Sequence, residues 1–512
     1  MKSYDVAVVG LGPVGCTASI HLAEAGLSVV AFERDREVYR LPRAVNLDGE
    51  IIRSFQRHGR GEAVQNLMQR VRPGDRAGFA NSKREWMFGV EVSSFGANGW
   101  QPMSMFDQPE FENYLRSEAV GHTKVTPHIG EEVSRVRNTK DGVELEYGSG
   151  EKARARYAIA CDGANSRTRK ALDIGWRDLG YDRDWLVVDV TARAGHTLGH
   201  DTMQVCDPDR ISTYVCTKDP YRRWEFRLNP GETKEQMLDP ETIMSLIDPW
   251  TPRGTYEIRR AAVYQFHAAT ADQWRKGNIF IAGDAAHQTP PFLGQGMNIG
   301  MRDVINIAWK LPIVLQGLAS DRLLDTYYGE RNAHAHDFVD WAVAIGRLME
   351  HLAEVERCQR EGLPTPAERA QLKSSGYGQG REQPPIREGA VLLDQVSDDG
   401  STGYLLSQPI VENLAGERLR FDDMLGPGIA IVTRNAELPN LSKDARLVID
   451  RLKINVVSTA GLKAVQGHFD RLFEKNEAAI IRPDRIVFGH TTKNVSLDTL
   501  IEHLVKALCL NL

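Results

Sequence analysis

The N-terminal segment contains the pattern that most restricts how this chain can fold. A short apolar run, Tyr4 to Val9, leads directly into the glycine-rich turn GLGPVG at residues 10–15. A helix is predicted after the turn, and a second apolar run, Ser28 to Phe32, ends at Glu33. This order of strand, glycine turn, helix, strand and acidic residue predicts a βαβ unit at the start of a parallel sheet.

The same unit predicts a dinucleotide site. Gly10 permits the tight turn, Gly12 lets the backbone approach a pyrophosphate, and Gly15 allows the helix to pack closely on the strand. Glu33 is placed to accept hydrogen bonds from a ribose hydroxyl. The motif does not by itself choose between FAD and NAD, but it occurs once, at the N-terminus. A single copy favours FAD as the tightly held ligand.

A second informative stretch, residues 283–310, reads GDAAHQTPPFLGQGMNIGMRDVINIAWK. It follows an apolar run, Ile279 to Ala282, so it predicts a strand, a rigid turn and a long helix. Free N–H groups at the helix N-terminus favour an anion or an electron-rich ring edge. Pro291 stiffens the turn, and Gly294 and Gly296 let a ligand come close.

Composition excludes several other classes of protein. The 512 residues are enough for two or three domains, and a net charge of -6 argues against general nucleic-acid binding. Six scattered cysteines without a CxxC pair predict free thiols and no metal site. We see no signal peptide and no run of 18 apolar residues, so we expect a cytoplasmic protein that binds no membrane.

The alternation of predicted elements divides the chain into three domains. Residues 1–173 and 274–385 are predicted to form the dinucleotide domain, ending in a polar linker or exposed loop at 361–385. Residues 174–273 are rich in strands and predict an inserted antiparallel sheet. Residues 386–512 predict a small α/β domain, so the fold class is α/β, with a Rossmann-like first domain.

The inserted sheet is expected to form the wall of a substrate pocket. Its candidate lining residues are Tyr214, Arg223, Trp224, Gln265 and His267. Because strand side chains alternate between two faces, some of these belong to the core, and the sequence does not decide which. We expect His267 to be structural.

Three motifs in this order resemble one known family. They are GLGPVG, then CDGANS at residues 161–166, then GDAAHQTPPFLGQGMNIGMRD at residues 283–303. Together they resemble the single-component FAD-dependent aromatic hydroxylases with a para-hydroxybenzoate hydroxylase-like fold. The segments RRWEF and PGE, at residues 222–226 and 230–232, are similar to the 3-(3-hydroxyphenyl)propionate hydroxylase and phenol hydroxylase-like branch.

The resemblance implies a set of cofactor-binding residues. The first turn and Glu33 would contact the ADP half of FAD. Arg43 and Gln108 would contact the middle of the cofactor, and Asp284 would lie near the ribityl chain and pyrophosphate. Gln108 could equally be a helix-start residue, and Asp162 an Asx-turn cap. The full set is Gly10, Leu11, Gly12, Pro13, Val14, Gly15, Glu33, Arg34, Arg43, Gln108, Asp162, Gly283, Asp284, Pro291, Gly294, Gly296, Met297 and Asn298. Substrate would contact Tyr214, Arg223, Gln265 and Pro291.

The implied reaction uses NADH or NADPH and dioxygen to hydroxylate a small phenolic substrate by way of a flavin hydroperoxide. The resemblance also implies a thioredoxin-like C-terminal domain, here without CxxC, and a possible homodimer. No residue is identified as a catalytic base, and His287 is read as part of the cofactor loop. The alternatives are other flavin chemistry on the same fold, such as Baeyer–Villiger-type oxygenation or reduction, and a non-enzymatic flavin-binding protein.

Overall fold

A computed structural model describes residues 3–366, 383–398, 400–470 and 472–511. Most of the predicted linker at 361–385 lies outside the described residues.

The strands in chain order are β1 (Ser3–Val9), β2 (Val29–Glu33), β3 (Asn46–Asp48), β4 (Arg76–Ala80), β5 (Trp86–Glu91), β6 (Met103–Met105), β7 (Val125–Ile129), β8 (Val133–Thr139), β9 (Gly142–Tyr147), β10 (Glu151–Ala160), β11 (Trp176–Ala192), β12 (Thr202–Val205), β13 (Ser212–Val215), β14 (Tyr221–Arg227), β15 (Tyr256–Ala271), β16 (Arg275–Lys276), β17 (Ile279–Ile281), β18 (His287–Gln288), β19 (Ile410–Glu412), β20 (Arg418–Arg420), β21 (Ala430–Thr433), β22 (Asn455–Ser458), β23 (Lys463–Gln466), β24 (Ala478–Ile481) and β25 (Val487–His490). The α-helices are α1 (Pro13–Glu24), α2 (Gly49–Gln56), α3 (Gly61–Asn66), α4 (Gln108–Gly121), α5 (Arg167–Ala171), α6 (Lys234–Met237), α7 (Pro240–Ile247), α8 (Gly296–Leu315), α9 (Thr326–Glu361), α10 (Phe421–Leu425), α11 (Lys443–Leu452), α12 (Leu472–Lys475) and α13 (Leu497–Ala507).

The first sheet is the Rossmann-like core. Its strands follow the order β16-β17-β10-β1-β2-β7, and β17, β10, β1, β2 and β7 run parallel. The hydrophobic residues of β1 and β2 are buried, as expected for strands covered on both faces. Helix α1 starts with Pro13 at its first turn and packs against α4 and α8. The C-terminal edge of this sheet therefore meets the N-termini of α1 and α8.

The second sheet is the predicted antiparallel sheet, but it draws on more of the chain than residues 174–273. Its order is β18-β15-β11-β14-β13-β12-β4-β5. Strands β4 and β5 precede the predicted insertion, and β4 joins β12 in parallel. The sequence analysis placed this segment in the dinucleotide domain, because its glycines obscure the strand alternation. In the structure, β4 instead pairs with β12 and β5.

The C-terminal domain has the sheet order β22-β21-β24-β25, with β21 parallel to β22 and the other pairs antiparallel. This is the thioredoxin-like arrangement implied by the resemblance. One hydrophobic core packs α11 and α13 on the sheet and extends to Trp309 and Leu323 of the Rossmann-like domain. In the described part of the chain, none of the helices combines the length and the apolar character needed to cross a membrane.

Buried charges also join the C-terminal domain to the rest of the chain. Glu330 on α9 lies 3.0 Å from Lys310 and 2.7 Å from Arg482, and all three side chains are buried. A second buried pair joins Arg53 of α2 to Asp422 of α10 at 2.6 Å. Such pairs stabilise one docking geometry because removing either partner leaves a charge buried alone.

Candidate active site

A cavity of about 930 Å³ lies between the two large sheets. The glycine turn before α1, the loop at residues 43–45 and the start of α8 form one wall. Side chains from β4, β5, β12, β13 and β14 form a second wall. The two walls come from segments far apart in sequence, so the cavity exists only in the folded chain.

The first glycine turn has the geometry that the motif predicts. Gly10 adopts φ +92°, and a Cβ there would lie 2.5 Å from the carbonyl oxygen of Cys161. A Cβ on Gly15 would lie 1.8 Å from the carbonyl oxygen of Gly10. A Cβ on Gly12 would meet no atom of the described part of the chain within 4 Å, because this residue borders the cavity. Gly10 and Gly15 are thus required by packing, whereas Gly12 leaves room for a ligand.

Pro13 and Val14 also line the cavity, but Glu33 and Arg34 do not. The Glu33 carboxylate accepts hydrogen bonds from the backbone N–H groups of Leu11, at 2.7 Å, and Asp35, at 2.9 Å. It therefore fixes the turn from the end of β2. Arg34 is exposed and pairs with its neighbour Asp35.

Asp162 lies at the end of β10 and outside the cavity lining. Its carboxylate accepts hydrogen bonds from the Ser166 hydroxyl, at 2.5 Å, and from the Thr168 backbone N–H, at 2.9 Å. In this structure Asp162 stabilises the start of α5, which corresponds to the Asx-turn alternative.

The loop around Arg43 is held from two sides. The side-chain oxygen of Gln108 accepts the backbone N–H groups of Arg43, at 2.8 Å, and Ala44, at 2.7 Å. The Arg223 guanidinium donates to the carbonyl oxygens of Arg43 and Pro42, both at 2.8 Å. Gln108 and Arg223 both line the cavity, and each fixes the position of this loop.

The start of α8 faces the same cavity. Gly294, Gly296 and Met297 line it, and α8 has neither a side-chain cap nor an acidic residue in its first turn. Gly294 adopts φ +63°, which turns the chain into the helix. Asn298 is buried outside the lining, and its side-chain amide donates to the carbonyl oxygens of Asn46 and Gly294. Asn298 therefore ties the start of α8 to β3 and to the turn before the helix.

Gly283, Asp284 and Pro291 also line the cavity, before α8. The Asp284 side chain is accessible from the cavity, and enclosure by the surrounding protein raises its pKa. His287 is buried and lies 2.7 Å from the Asp303 carboxylate, which also accepts the Gly283 backbone N–H. His287 therefore supports the loop that presents Asp284.

The sheet wall combines apolar and polar side chains. Its apolar part includes Phe79, Phe88 and Val215, and Phe292 and Trp341 add to it from the loop before α8 and from α9. The polar part includes Thr202, Gln204, Thr213, Arg223 and Glu225, together with Glu91 of β5. This composition suits a mainly apolar ring with a small number of polar substituents.

Several predicted pocket residues lie elsewhere. Tyr214 and Trp224 pack on the opposite face of the sheet, where their rings also contact Trp250. Gln265 and His267 are exposed on β15, and His267 pairs with Asp182 at 2.7 Å. Of the predicted substrate residues, the structure brings Arg223 and Pro291 to the cavity and leaves Tyr214 and Gln265 outside it.

The sequence reasoning missed the polar residues of this wall other than Arg223, including Gln204, Thr213 and Glu225. Strand alternation contains a usable signal, because Arg223 and Glu225 are two residues apart on β14 and so share a face. Successive side chains of β13 point to opposite faces of the sheet, so Thr213 faces the cavity and its neighbour Tyr214 faces the core.

The residues of the first wall fit FAD. Two helix N-termini, those of α1 and α8, border one cavity without side-chain caps, and both lack an acidic residue in the first turn. Such ends offer N–H donors to a pyrophosphate and to the electron-rich edge of an isoalloxazine ring. The open space at Gly12 admits the ligand between them.

Comparison with known proteins agrees with this fit. A family model described as FAD binding domain (FAD_binding_3) matches residues 3–342, and a model described as HcaD C-terminal domain matches residues 403–507. The chain belongs to this family of FAD-binding proteins, in its aromatic hydroxylase branch. It is an FAD-dependent monooxygenase.

Two relatives and two solved structures illustrate the likeness. A probable NADH-specific resorcinol 4-hydroxylase of Rhodococcus jostii (strain RHA1) is 30% identical over 99% of this chain and 95% of its own. A 3-(3-hydroxy-phenyl)propionate/3-hydroxycinnamic acid hydroxylase of Mycobacterium sp. (strain JLS) is 32% identical over 84% of this chain and 76% of its own. The crystal structure of aklavinone-11 hydroxylase with FAD and aklavinone matches with a TM-score of 0.79 at 25% identity, covering 99% of both chains. The flavin-dependent monooxygenase PieE matches in fold, with a TM-score of 0.79 at 20% identity and 99% of both chains covered.

Proposed function

We propose that this protein hydroxylates a phenolic ring, with NADH as the reductant and dioxygen as the oxygen source. The observation that carries the proposal is the two-sided cavity: one wall suits a flavin, and the facing wall is apolar with a few polar groups. The names of the resorcinol and hydroxyphenylpropionate relatives support a phenol, and the first of these names supports NADH.

FAD would lie against the first wall. When bound, FAD supplies the redox chemistry, taking a hydride from the nicotinamide and delivering oxygen from O2 to the substrate. The proposed contacts are Gly12, Pro13, Val14 and Gly15 at the pyrophosphate, Arg43 and Asp284 along the middle, and Pro291, Gly294, Gly296 and Met297 at the ring. Gly10, Leu11, Glu33, Gln108 and Asn298 would hold these segments in place, and Arg34 and Asp162 would lie at the margin.

The residues of the chain would then supply orientation, charge stabilisation and exclusion of water. The N-terminus of α8 would stabilise negative charge at the ring edge. Phe79, Phe292 and Trp341 would displace water from the substrate side and hold an aromatic ring against the flavin wall.

The proposal is tested with the purified, FAD-loaded protein. NADH and NADPH oxidation, dioxygen uptake and product mass are measured across hydroxybenzoates, hydroxyphenylpropionates, resorcinol and polycyclic phenols. We expect at least one phenol to accelerate NADH oxidation and to gain one oxygen atom by mass. NADH oxidation without oxygen transfer to any phenol would favour other flavin chemistry on this fold, and failure to retain FAD would contradict the cofactor assignment.

Two further expectations remain proposals. A homodimer is carried by the family resemblance, and light scattering should give twice the mass of one chain. A cytoplasmic location is supported by the six cysteines, which are all free thiols. Fractionation of the native host cells tests it.

A further inference from the structure

Glu225 is a carboxylate in the cavity wall to which the sequence assigned no role. It lies on β14 two residues after Arg223, and both side chains border the cavity. Trp224 and Phe226 point the other way, into the core beneath α6 and α7. The strand therefore places Glu225 on the face where a substrate ring would lie.

The neighbours of Glu225 form a polar row across the sheet. Thr213 on β13 pairs directly with Glu225, and its hydroxyl donates to the side-chain oxygen of Gln204 at 2.6 Å. The Gln204 amide donates to the carbonyl oxygen of Phe292 at 3.4 Å, just before α8. The row thus runs from Glu225 toward the helix end that faces the proposed flavin position.

The charged groups around Glu225 leave its carboxylate weakly held. From β14 itself, Arg223 approaches it only to 3.8 Å. The same guanidinium lies 2.7 Å from Asp189 on β11, which also receives Arg260 from β15 at 2.7 Å. The shortest contacts of Arg223 are therefore to Asp189 and to the loop at residues 42–43, and Arg260 pairs with Asp189.

Burial is the main reason that the pKa of Glu225 is raised to about 7. Arg223 and Arg260 lower this pKa, whereas the negative charge of Asp189 raises it. A carboxylate whose pKa is raised in this way is a stronger base than an ordinary glutamate. It also changes protonation state near neutral pH, which is the condition for efficient general base catalysis. Arg223, at 3.8 Å, lies close enough to offset negative charge that develops beside Glu225.

We propose that Glu225 accepts the proton of the substrate phenol, an inference that rests on the proposed function. The phenolic O–H bond breaks, its electron pair remains on the ring oxygen, and the proton forms an O–H bond with a carboxylate oxygen of Glu225. The phenolate so formed is richer in electrons at its ortho and para carbons, where oxygen is added. The proton returns to solvent when product leaves.

The test compares Glu225→Gln with the unmodified protein, using resorcinol and 3-(3-hydroxyphenyl)propionate as probes. Glu257→Gln is the matched control, because Glu257 is an exposed carboxylate on the same sheet and pairs with Arg193. The rate of product formation and the amount of product formed for each NADH oxidised are measured between pH 5.5 and about 9. FAD content, kcat and KM are measured on the same samples.

For the unmodified protein and the control, kcat/KM should rise with pH and level off above about 7, because the base must be deprotonated. In Glu225→Gln the fall should be in kcat, by about 10²-fold at pH 7. The levelling-off of kcat/KM near pH 7 should disappear in this variant. Its remaining rate should keep rising with pH as the phenol ionises by itself.

A Glu225→Gln protein with unchanged kcat and an unchanged limb near pH 7 would overturn the proposal. If this variant does not fold or loses FAD, Glu225→Asp is the second test. The pH at which its kcat/KM levels off should differ from that of the unmodified protein, because the shorter carboxylate sits in a different environment. An unchanged pH profile of kcat/KM in Glu225→Asp would overturn the proposal. If the unmodified protein hydroxylates no phenol of the wider panel, the proposed function fails first, and the role of Glu225 fails with it.

Discussion

Replacing Gly12 by alanine should separate cofactor binding from folding. Gly12 precedes α1 as its N-cap, with φ -69° and ψ -177°, a conformation that alanine also adopts. Among the described residues, no atom lies within 4 Å of the added methyl group. Alanine reduces the conformational entropy of the unfolded chain, which stabilises the fold by about 0.4–1 kcal/mol. Alanine is also a poorer N-cap than glycine, which destabilises the fold by a similar amount. The free energy of unfolding of the apoprotein should therefore change by less than about 1 kcal/mol.

FAD binding should respond differently, because the methyl group enters the space proposed for the pyrophosphate. Steric overlap in a closely packed site costs about 1–3 kcal/mol, which corresponds to a rise in the FAD Kd of roughly 5- to 150-fold. Urea unfolding of the apoprotein and fluorescence titration with FAD measure the two quantities. Gly121→Ala is the control, because a Cβ there also meets nothing within 4 Å but Gly121 lies outside the cavity. An unchanged FAD Kd in Gly12→Ala would refute the placement of the cofactor against this turn.

Three further substitutions test other parts of the structure. Tyr214→Phe removes a hydrogen bond to a loop carbonyl on the core face, so it should cost about 1 kcal/mol in urea unfolding and leave kcat/KM unchanged; a large fall in kcat/KM would place Tyr214 in the site after all. Arg223→Lys loses the planar guanidinium that holds the loop at residues 42–43, so the FAD Kd should rise about tenfold in the same titration, and an unchanged Kd would mean that the loop is held without it. Asp422→Asn leaves Arg53 without its buried partner and should lower the free energy of unfolding by about 3–5 kcal/mol at pH 7. Burial opposes ionisation of Asp422, but its two arginine partners outweigh it and lower the pKa to about 2. The ionised Asp422 therefore stabilises the fold above its unfolded pKa, and this stabilisation is lost as pH falls toward 2. The difference in the free energy of unfolding between the parent protein and Asp422→Asn should narrow between about pH 4 and 2. A difference that stays constant would contradict the ion-pair explanation.

The sequence alone predicted the two turns that border the first wall of the cavity. Gly10, Gly12 and Gly15 could be assigned because a strand, a tight turn and a helix are local structures, and their geometry follows from neighbouring residues. The turn before α8 was readable for the same reason, since Pro291, Gly294 and Gly296 act within a few residues of each other. The family resemblance rests on these local motifs.

Tertiary structure decided which side chains of the second sheet line the cavity. Which face of β13 and β14 lines the cavity depends on how the second sheet packs on the first, so Tyr214 could not be told from Thr213 by sequence. The weak hold on Glu225 likewise arises because Asp189, on another strand, takes Arg223 at closer range. Local backbone preferences are encoded within short segments, whereas burial and charge pairing depend on residues that meet only when the chain folds.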